Sequence, residues 1–406
     1  MIRSVLMLSP EPPYPLAGGG AYRTASLLQY FARFAEVDLL LVSESGKPAL
    51  LPPRVSGEPL VRSQTVIPLR AHGRGVAARY YRNAGRAIRG VPPLIDRLGG
   101  LESAIAEAVA GWHYDLGIVE HFWCAPYIAQ MESVCGRTVL DLHNVESMLH
   151  QRCAAVGQGL IGAGHRRFAG ASRKLESELL PRYSLVLAAS MDDARQALAI
   201  APRSRIEVYP NALPWVEMPQ VTEEDLIVFS GNFEYHPNID AVRWLVSDIW
   251  PEVAKKHPGL RLRLVGRGEG FIRHLISPDS RIEMSGPVPN ALAEIAAARV
   301  VIAPLRAGSG TRIKVLEAWA AGRAVVATPL AAEGLSAQDG HNIALATGPA
   351  AFAAAIDRLL SDSRERQRLG VNGRHTFDEH YTWDAAWRNL DSYLQLMRPV
   401  ELKSLY

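Results

Sequence analysis

The chain has 406 residues, of which 48% are hydrophobic and 21% are charged, and its formal net charge is +3. This composition is typical of a globular protein, and the length predicts two domains of roughly 150–200 residues each. So small a net charge argues against nucleic acid as a partner. The sequence has no run of about 18 apolar residues to span a bilayer, and its start lacks the apolar core of a signal peptide. We therefore expect a cytoplasmic protein, at most peripheral at the inner face of a membrane.

Six apolar runs in the first half predict β-strands, and segments of helical periodicity separate most of them. The runs read SVLMLSP, VDLLLVS, DLGIVEH, TVLDLHN, SLVLAAS and IEVYPN. Alternating strands and helices predict a parallel sheet flanked by helices. Ligands of such sheets bind beyond the carboxyl ends of the strands, so residues at strand ends are the candidate functional residues.

A glycine-rich stretch, AGGGAYR, follows the first predicted strand and precedes a predicted helix. It lacks the full G-x-G-x-x-G spacing of dinucleotide-binding loops and is weak evidence for NAD. Gly18, Gly19 and Gly20 would allow the backbone to contact a donor phosphate or an acceptor. The alternative is a flexible linker between Pro15 and the helix.

Residues 62–97 contain eight arginines and one acidic residue, Asp96, with Tyr80 and Tyr81 among them. A basic segment with aromatic residues can lie on anionic lipid or hold an acidic acceptor. A solvated surface insertion would have the same composition, so both interpretations stay open.

Proline, asparagine and acidic residues gather between Pro210 and Glu224, and the periodicity stops there, so we place the domain boundary in this segment. Six further runs follow it: LIVFSGN, LRLRLVG, IEMSGPV, VVIAPL, AVVATP and NIALAT. They predict a second doubly wound domain. We assign 1–209 to the N-terminal domain, 210–382 to the C-terminal domain, and 383–406 to a helix that crosses back to the N-terminal domain.

The stretch from RVVIAPL to RAVVATP predicts the order strand, Gly-Ser-Gly-Thr loop, helix, strand. The loop and the first turn of the helix offer free N–H groups to an anion. Lys314 and Glu317 share a face of this helix. A cation for a phosphate beside a carboxylate for a hydroxyl indicates a nucleotide with a ribose.

Four segments of the second half, in this order and spacing, resemble family-four glycosyltransferases of the GT-B fold. They read FSGNFEYHPNIDAVRWL, LVGRG, MSGPVPN and VIAPLRAGSGTRIKVLEAWAAGRAVVATPLAAEGL. The first half is similar more loosely, through PPYPLAGGGAYRTASLL, DLHNVES and YPNA. The resemblance implies two Rossmann-like domains facing across a cleft. It also implies transfer of a sugar from a nucleotide-diphosphate sugar to a glycan, glycolipid or small-molecule hydroxyl, with retention of anomeric configuration.

In the resembled family, a glutamate at the position of Glu317 accepts hydrogen bonds from the ribose of the donor. The alternative is a helix-surface glutamate paired with Lys314. A second glutamate normally lies eight residues earlier, where this chain has Ser309. This departure leaves the backbone N–H groups of Ser309, Gly310 and Thr311 to hold the sugar or the phosphate.

Many members of that family carry an arginine and a lysine in the loop after the first strand of this domain, where they neutralise the diphosphate. The loop here reads SGNFEYHPN and contains neither. The resemblance places Gly231 and Asn232 beside the diphosphate, and we expect Arg312 and Lys314 to supply the charge from the facing loop. Otherwise Gly231 is an ordinary turn residue and the two cations are solvated.

Two more positions, Val288 and His143, follow from the resemblance, while Arg267 and Asp141 are candidates because of their places on the predicted strands. Val288 in SGPVPN would lie near the base, and Arg267 in VGRGEG would contact base or phosphate, unless it is a solvent-exposed loop residue. His143 would contact the transferred sugar near its reacting carbon, with His121 as a competitor for this role. Asp141 would orient the His143 ring or form a buried ion pair.

We expect no cofactor beyond the donor and no metal, because no two-carboxylate motif stands at a strand end and the three cysteines lack metal-type spacing. Two other functions remain open. One is a GT-B nucleotide-sugar epimerase with Glu234 and Glu120 as acid and base. The other is a non-catalytic partner subunit that keeps the fold.

Overall fold

The computed structural model describes residues 2–16, 18–70, 76–156, 159–276, 278–288, 291–308 and 313–396. Within these ranges the chain forms two domains, each built on a parallel β-sheet covered by helices. The predicted α/β class with two doubly wound domains is confirmed.

The N-terminal sheet consists of strands β1 Ser4–Ser9, β2 Glu36–Ser43, β3 Ser63–Pro68, β4 Leu116–Glu120, β5 Thr138–Leu142, β6 Leu185–Ala188 and β7 Ile206–Val208. These seven described strands are parallel and run in the order β3-β2-β1-β4-β5-β6-β7. The sequence predicts six of them and misses β3. This edge strand buries only Ile67, so it has no apolar run to signal it.

The C-terminal sheet consists of strands β8 Glu224–Ser230, β9 Arg261–Val265, β10 Ile282–Ser285, β11 Ala298–Ala303, β12 Ala324–Ala327 and β13 Ala344–Leu345. These six described strands are parallel and run in the order β10-β9-β8-β11-β12-β13. Each coincides with one of the six predicted runs, because the central strands are buried on both faces and therefore apolar throughout.

Helices cover both sheets. In the N-terminal domain they are α1 Gly19–Ala32, α2 Val76–Arg89, α3 Pro93–Leu98, α4 Glu102–Val109, α5 Ile128–Glu132, α6 Glu146–Val156, α7 Gly159–Leu179 and α8 Met191–Ile200. After the boundary they are α9 His236–Trp244, α10 Trp250–Lys256, α11 Ala291–Ala296, α12 Ile313–Ala320, α13 Pro329–Ala332, α14 Pro349–Ser361, α15 Ser363–His380 and α16 Trp383–Leu396.

Helix α16 packs on the N-terminal domain rather than on its own. Leu390 lies in the core formed by α1, β1 and β2. Trp387 Nε1 donates a hydrogen bond to the Ser26 carbonyl at 3.1 Å, and Tyr30 Oη donates to Asp391 Oδ1 at 2.7 Å. The helix thus ties the two domains together at the side of the cleft.

The basic segment 62–97 is only partly solvated. Several of its arginines bond carboxylates of the same domain: Arg86 and Arg89 bond Asp96, and Arg97 bonds Glu44. Tyr81 and Ile88 of α2 remain 76% and 80% exposed. Within the described ranges, none of the helices has the length and apolarity that crossing a bilayer requires. Contact of this segment with a membrane stays a prediction.

The two sheets face each other with the carboxyl ends of their strands. In each sheet the strand order reverses once, between β1 and β4 and between β8 and β11, which is where doubly wound sheets bind ligands. The domains touch at this point, since a Cβ added to Gly19 would lie 3.1 Å from Ile313 Cγ1. On α6, Arg152 makes hydrogen bonds of 2.5 and 2.6 Å to Glu333 across the cleft.

Candidate active site

Strands β4 and β5 bring three buried ionisable side chains together at their carboxyl ends. Glu120 ends β4 and pairs in register with Asp141 of β5, while His143 follows that strand. Residues in register on adjacent strands point to the same face of the sheet. The His143 Nε2 atom therefore lies 2.9 Å from Glu120 Oε2 and 3.1 Å from Asp141 Oδ2.

Arg23 of α1 completes this cluster from the opposite side. Its guanidinium donates to both oxygens of Asp141 at 2.5–2.9 Å, to the Tyr209 carbonyl at 2.6 Å and to Asn211 Oδ1 at 2.9 Å. Both partners of the ion pair are almost completely buried. Burial raises the pKa of Asp141, but Arg23 and His143 outweigh it and lower that pKa to about 2. Asp141 is therefore a paired carboxylate that also orients the His143 ring.

His143 Nε2 and Glu120 Oε2 lie 2.9 Å apart, and the pKa of each group is raised. Burial lowers the pKa of His143, but the neighbouring carboxylates of Asp141 and Glu120 outweigh it and raise that pKa to about 9. Burial and the charge of Asp141 raise the pKa of Glu120, although His143 and a 2.9 Å hydrogen bond from Thr24 oppose the shift. The charges of Arg23, Asp141, His143 and Glu120 sum to zero whether the proton is on His143 or on Glu120. His143 can therefore change its charge without an external counterion.

His121 has a strained backbone, with φ 63° and ψ 141°. Its ring stacks between the rings of His143 and Trp123, with centroid distances of 3.5 and 4.2 Å. In the described part of the chain, the buried atoms His121 Nε2 and Glu120 Oε1 have no hydrogen-bond partner. Since buried polar atoms are normally paired, these two atoms mark a place where hydroxyl groups of a ligand can bind. Gly20 keeps this place open, because a Cβ there would lie 3.2 Å from His121 Nε2.

The ligand atoms of Glu120, Asp141 and His143 lie within 4.8 Å of one another, a spacing that could hold a metal ion. However, the Arg23 guanidinium already binds Asp141 from within the same buried cluster. A divalent ion there would face a buried positive charge at contact distance. The residues therefore do not suit a metal, and the absence of a metal requirement stays a prediction.

Helix α12 carries Lys314 in its first described turn and the half-buried Glu317 one turn later. Burial raises the pKa of Glu317 to about 7, although Lys314 and a 3.5 Å hydrogen bond from Ser230 Oγ oppose the shift. Tyr22 of α1 packs on the C-terminal core, and burial together with the charge of Glu317 raises its pKa to about 12. A carboxylate with so few bonds of its own can accept hydrogen bonds from two hydroxyls.

The loop after β8 is shaped by glycine and asparagine. A Cβ added to Gly266, where φ is 141°, would lie 1.9 Å from the Gly231 carbonyl oxygen, so only glycine allows this approach. Asn238 Nδ2 donates to the Asn232 carbonyl at 2.8 Å, and Lys314 Nζ donates to Asn238 Oδ1 at 3.2 Å. A loop without cations of its own thus holds the ammonium group of Lys314 beside it.

The other predicted donor-site residues are at the same edge of the sheet or outside the described residues. Arg267 is exposed in the loop after β9, and Val288 packs against the C-terminal core after β10. The residues that lie outside the described ranges are Ser309, Gly310, Thr311 and Arg312. The functions of all these residues stay predictions.

Sequence reasoning left Tyr22, Arg23 and Thr24 without a function, although only Ala21 separates them from the three glycines. A signal was present, because Arg23 and Asp141 are isolated charges within a buried helix face and an apolar strand. Buried charges need partners, so the two could have been matched. Trp123 and Arg152 gave no such signal, since their partners come from the tertiary structure alone.

Residues 224–362 match the family model described as Glycosyl transferases group 1. Among solved structures, sucrose-phosphate synthase from Thermosynechococcus elongatus is similar with a TM-score of 0.74 and 18% identity, covering 97% of this chain and 99% of that one. Anabaena HepE in complex with UDP-glucose has a TM-score of 0.65 and 15% identity, covering 97% of this chain and 100% of that one. A mutant of S. aureus TarM in complex with fondaparinux, α-GlcNAc-glycerol and UDP has a TM-score of 0.68 and 10% identity, covering 98% and 100%.

A curated relative is described as an uncharacterized 44.6 kDa protein in the cps region of Klebsiella pneumoniae. It is 22% identical over 163 residues, which is 38% of this chain and 42% of that relative. The predicted resemblance to GT-B glycosyltransferases is confirmed: residues 224–362 match the group 1 glycosyltransferase model, and the chain as a whole has the GT-B fold.

Proposed function

We propose that the protein transfers a sugar from a nucleotide-diphosphate sugar to a hydroxyl acceptor, with retention of anomeric configuration. The observation that carries the proposal is the face of α12, where Lys314 and the poorly bonded carboxylate of Glu317 lie at the C-terminal switch point. The buried His143 cluster lies on the other side of the same cleft. HepE was solved in complex with UDP-glucose and TarM in complex with UDP, and the likeness of this chain to both supports a nucleotide-sugar as the donor.

On this proposal the C-terminal domain binds the nucleotide. Glu317 accepts hydrogen bonds from the two ribose hydroxyls, and its burial makes each bond stronger than in water. The backbone after Gly231 and the ammonium of Lys314 contact the diphosphate, together with Arg312, which is two residues before Lys314 in the sequence. Arg267 and Val288 frame the base.

The N-terminal domain then holds the transferred sugar. His121 Nε2 and Glu120 Oε1 bind its hydroxyls, and His143 contacts the sugar near the reacting carbon. Asp141 and Glu120 are poor covalent nucleophiles, because Arg23 holds the first and the second is bonded to His143 and Thr24. A same-face reaction fits better. The bond from the anomeric carbon to the diphosphate breaks, the acceptor oxygen bonds on the same face, and its proton passes to the departing phosphate oxygen.

The test starts with a thermal-shift panel of nucleotide-sugars, since a specific ligand raises the melting temperature by an amount set by its concentration and Kd. We expect one nucleotide series to stabilise the protein and Glu317→Gln to weaken that shift. Proton NMR of the product then gives the configuration, and inversion would contradict retention. Conversion of the donor without an acceptor would identify an epimerase instead, and absence of any shift a non-catalytic subunit.

The acceptor is proposed to be a sugar or a lipid-linked hydroxyl. For a lipid-linked acceptor, α2 would approach the membrane, because its exposed Tyr81 and Ile88 accompany arginines. Sedimentation with anionic vesicles tests this contact, and Ile88→Asp should abolish it.

A further inference from the structure

A cavity of about 220 Å³ lies where the two domains meet beside α6. The N-terminal domain lines it with residues 92–95, with Trp123 and with side chains of α6 and α7. The opposite wall is formed by residues 234–237, at the end of the loop after β8 and the start of α9. The next residue of α9, Asn238, accepts a hydrogen bond from Lys314. The cavity therefore has the segment that we propose to bind the donor as one wall.

Trp123 connects the cavity to the reacting side of the cleft. Its ring lies parallel to His121 at 4.2 Å, and His121 stacks on His143 at 3.5 Å. His121 covers one face of the indole, and Trp123 is also one of the residues that line the cavity. A hydrogen bond of 2.9 Å from Trp123 Nε1 to Glu146 Oε1 holds the ring in this orientation.

The polar side chains that line the cavity include two carboxylates and three histidines: Glu146, Glu234, His150, His165 and His236. Glu146 is 5% exposed, and its Oε1 atom accepts hydrogen bonds from both Trp123 and Asn144. His150 and His165 join their Nδ1 atoms at 3.0 Å, which leaves the Nε2 atoms for other partners. Burial lowers the pKa of both histidines to about 4, so they are uncharged at neutral pH. Such a lining does not suit a phosphate group, whereas it suits hydroxyl groups, which both donate and accept.

We propose that this cavity is the acceptor subsite and that it binds a pyranose ring, stacked on Trp123, with its hydroxyls bonded to Glu146 and His150. An aromatic face with a few fixed hydrogen-bonding groups around it matches a sugar, which has apolar C–H faces and a polar rim. The inference rests on the proposed transferase function, since it names the acceptor class as a carbohydrate. A ring seated here has the donor loop on one side and the His143 stack on the other.

Binding of free sugars tests the subsite without requiring catalysis. Saturation-transfer NMR on the full chain would measure the Kd of methyl α-glucopyranoside, methyl α-galactopyranoside and methyl α-mannopyranoside. We expect at least one to bind, Trp123→Ala to raise its Kd at least about tenfold, and Trp123→Phe to raise it less. Trp112→Ala is the matched control, because Trp112 is 49% exposed and precedes β4 at the opposite edge of the sheet. Its Kd should equal that of the wild type.

Three results would overturn the proposal: no pyranoside binds the wild type, Trp123→Ala binds it equally well, or geranyl phosphate binds while no pyranoside does. The same variants are also examined by thermal shift with UDP and GDP. Loss of sugar binding in Trp123→Ala with an unchanged nucleotide shift supports the subsite specifically. A missing nucleotide shift in every variant contradicts the proposed function instead. If Trp123→Ala does not fold, Glu146→Gln tests the same subsite. We expect this variant to weaken sugar binding while the Trp123 ring stays stacked on His121.

Discussion

The two sides of the cleft handle their charges differently. On the N-terminal side, Arg23, Asp141, His143 and Glu120 are buried and bonded to one another at 2.5–3.1 Å. On the C-terminal side, Lys314 Nζ donates to Asn238 Oδ1 at 3.2 Å and Ser230 Oγ donates to Glu317 Oε2 at 3.5 Å, so these two hydrogen bonds are longer and each joins a charged group to an uncharged one.

This difference indicates that the two sides of the cleft have different functions. A network whose charges satisfy each other is rigid before any ligand arrives, which suits the positioning of a reacting group. The pKa of Glu317 is raised to about 7, so keeping its carboxylate ionised costs free energy in the ligand-free protein. A ligand that donates hydrogen bonds to the carboxylate offsets this cost. The N-terminal side therefore orients the reacting groups, and the C-terminal side binds the donor.

The largest effect is expected from breaking the buried network with Arg23→Ala. The change leaves Asp141 buried without its main partner, so the free energy of unfolding should fall by about 3–5 kcal/mol. Urea denaturation measures this loss. The control is Arg195→Ala, whose side chain is 73% exposed beside Asp192, and it should cost less than about 1 kcal/mol. Equal losses in both variants would show that the buried pair contributes nothing special.

The next effect concerns the charge that the C-terminal side offers to the leaving group. Arg312→Ala should lower kcat by on the order of 10²–10³, because this contact strengthens as the diphosphate departs. Lys314→Ala should lower kcat less, since an ammonium contacts phosphate at a single point. Steady-state kinetics with the donor that the thermal-shift panel identifies measures both effects, with the exposed Lys255→Ala as control. Full kcat and normal donor affinity in Arg312→Ala would show that this loop does not replace the missing cations.

Glu317→Gln should weaken donor binding and stabilise the free protein. The donor KM should rise with kcat little changed, because charged hydrogen bonds to the ribose are worth about 1.5–3 kcal/mol in both ground and transition states. In the free protein, the pKa of Glu317 is raised to about 7. Between its ordinary value and 7 the unfolded chain binds fewer protons than the folded one, so the wild type loses stability as pH rises through this window.

Glu317→Gln cannot ionise at this position, so it does not lose stability as the pH rises. Its melting temperature should exceed that of the wild type at pH 8 and equal it at pH 4. Glu234→Gln, an exposed carboxylate in the loop after β8, serves as the control and should show no such pH dependence. Equal stability of Glu317→Gln and the wild type at both pH values would mean that the buried carboxylate carries no penalty.

The sequence predicts the C-terminal side better than the N-terminal side, for a physical reason. Glu317 and Lys314 belong to one helix, and their spacing alone places them on one face. Glu120 and His143 come from neighbouring strands, so their common location at the sheet edge is also predictable. Arg23 and Asp141 are 118 residues apart, and their contact depends on how α1 packs over the sheet.

Fold elements show the same distinction. The buried strands are predictable because burial on both faces demands continuous apolar runs, as in β4 and β11. Strand β3 is not predicted, because it lies at the edge of the sheet and is half solvated. Contacts across the cleft, such as Arg152 with Glu333, carry no local signal, since neither a charged residue in α6 nor one just after α13 is unusual.

The smallest effect is expected from breaking the Arg152–Glu333 pair, which joins the two sides of the cleft. Arg152 binds the Glu333 carboxylate and also donates to the Gly308 carbonyl at 3.1 Å, next to the loop that precedes α12. These side chains are 20% and 28% exposed, so water screens the pair only in part. A double-mutant cycle with Arg152→Ala and Glu333→Ala should give a coupling of about 1 kcal/mol, above that of the exposed pair Arg182 and Glu132.

That coupling should appear in function as well as in stability, because the pair joins the orienting side to the binding side. Without it the open arrangement gains population by a factor of about five, and a donor that needs both sides binds more weakly by up to that factor. We expect the donor KM to rise several-fold in Arg152→Ala with kcat unchanged, and the radius of gyration by small-angle scattering to increase. An unchanged radius together with an unchanged KM would show that the cleft closes without this contact.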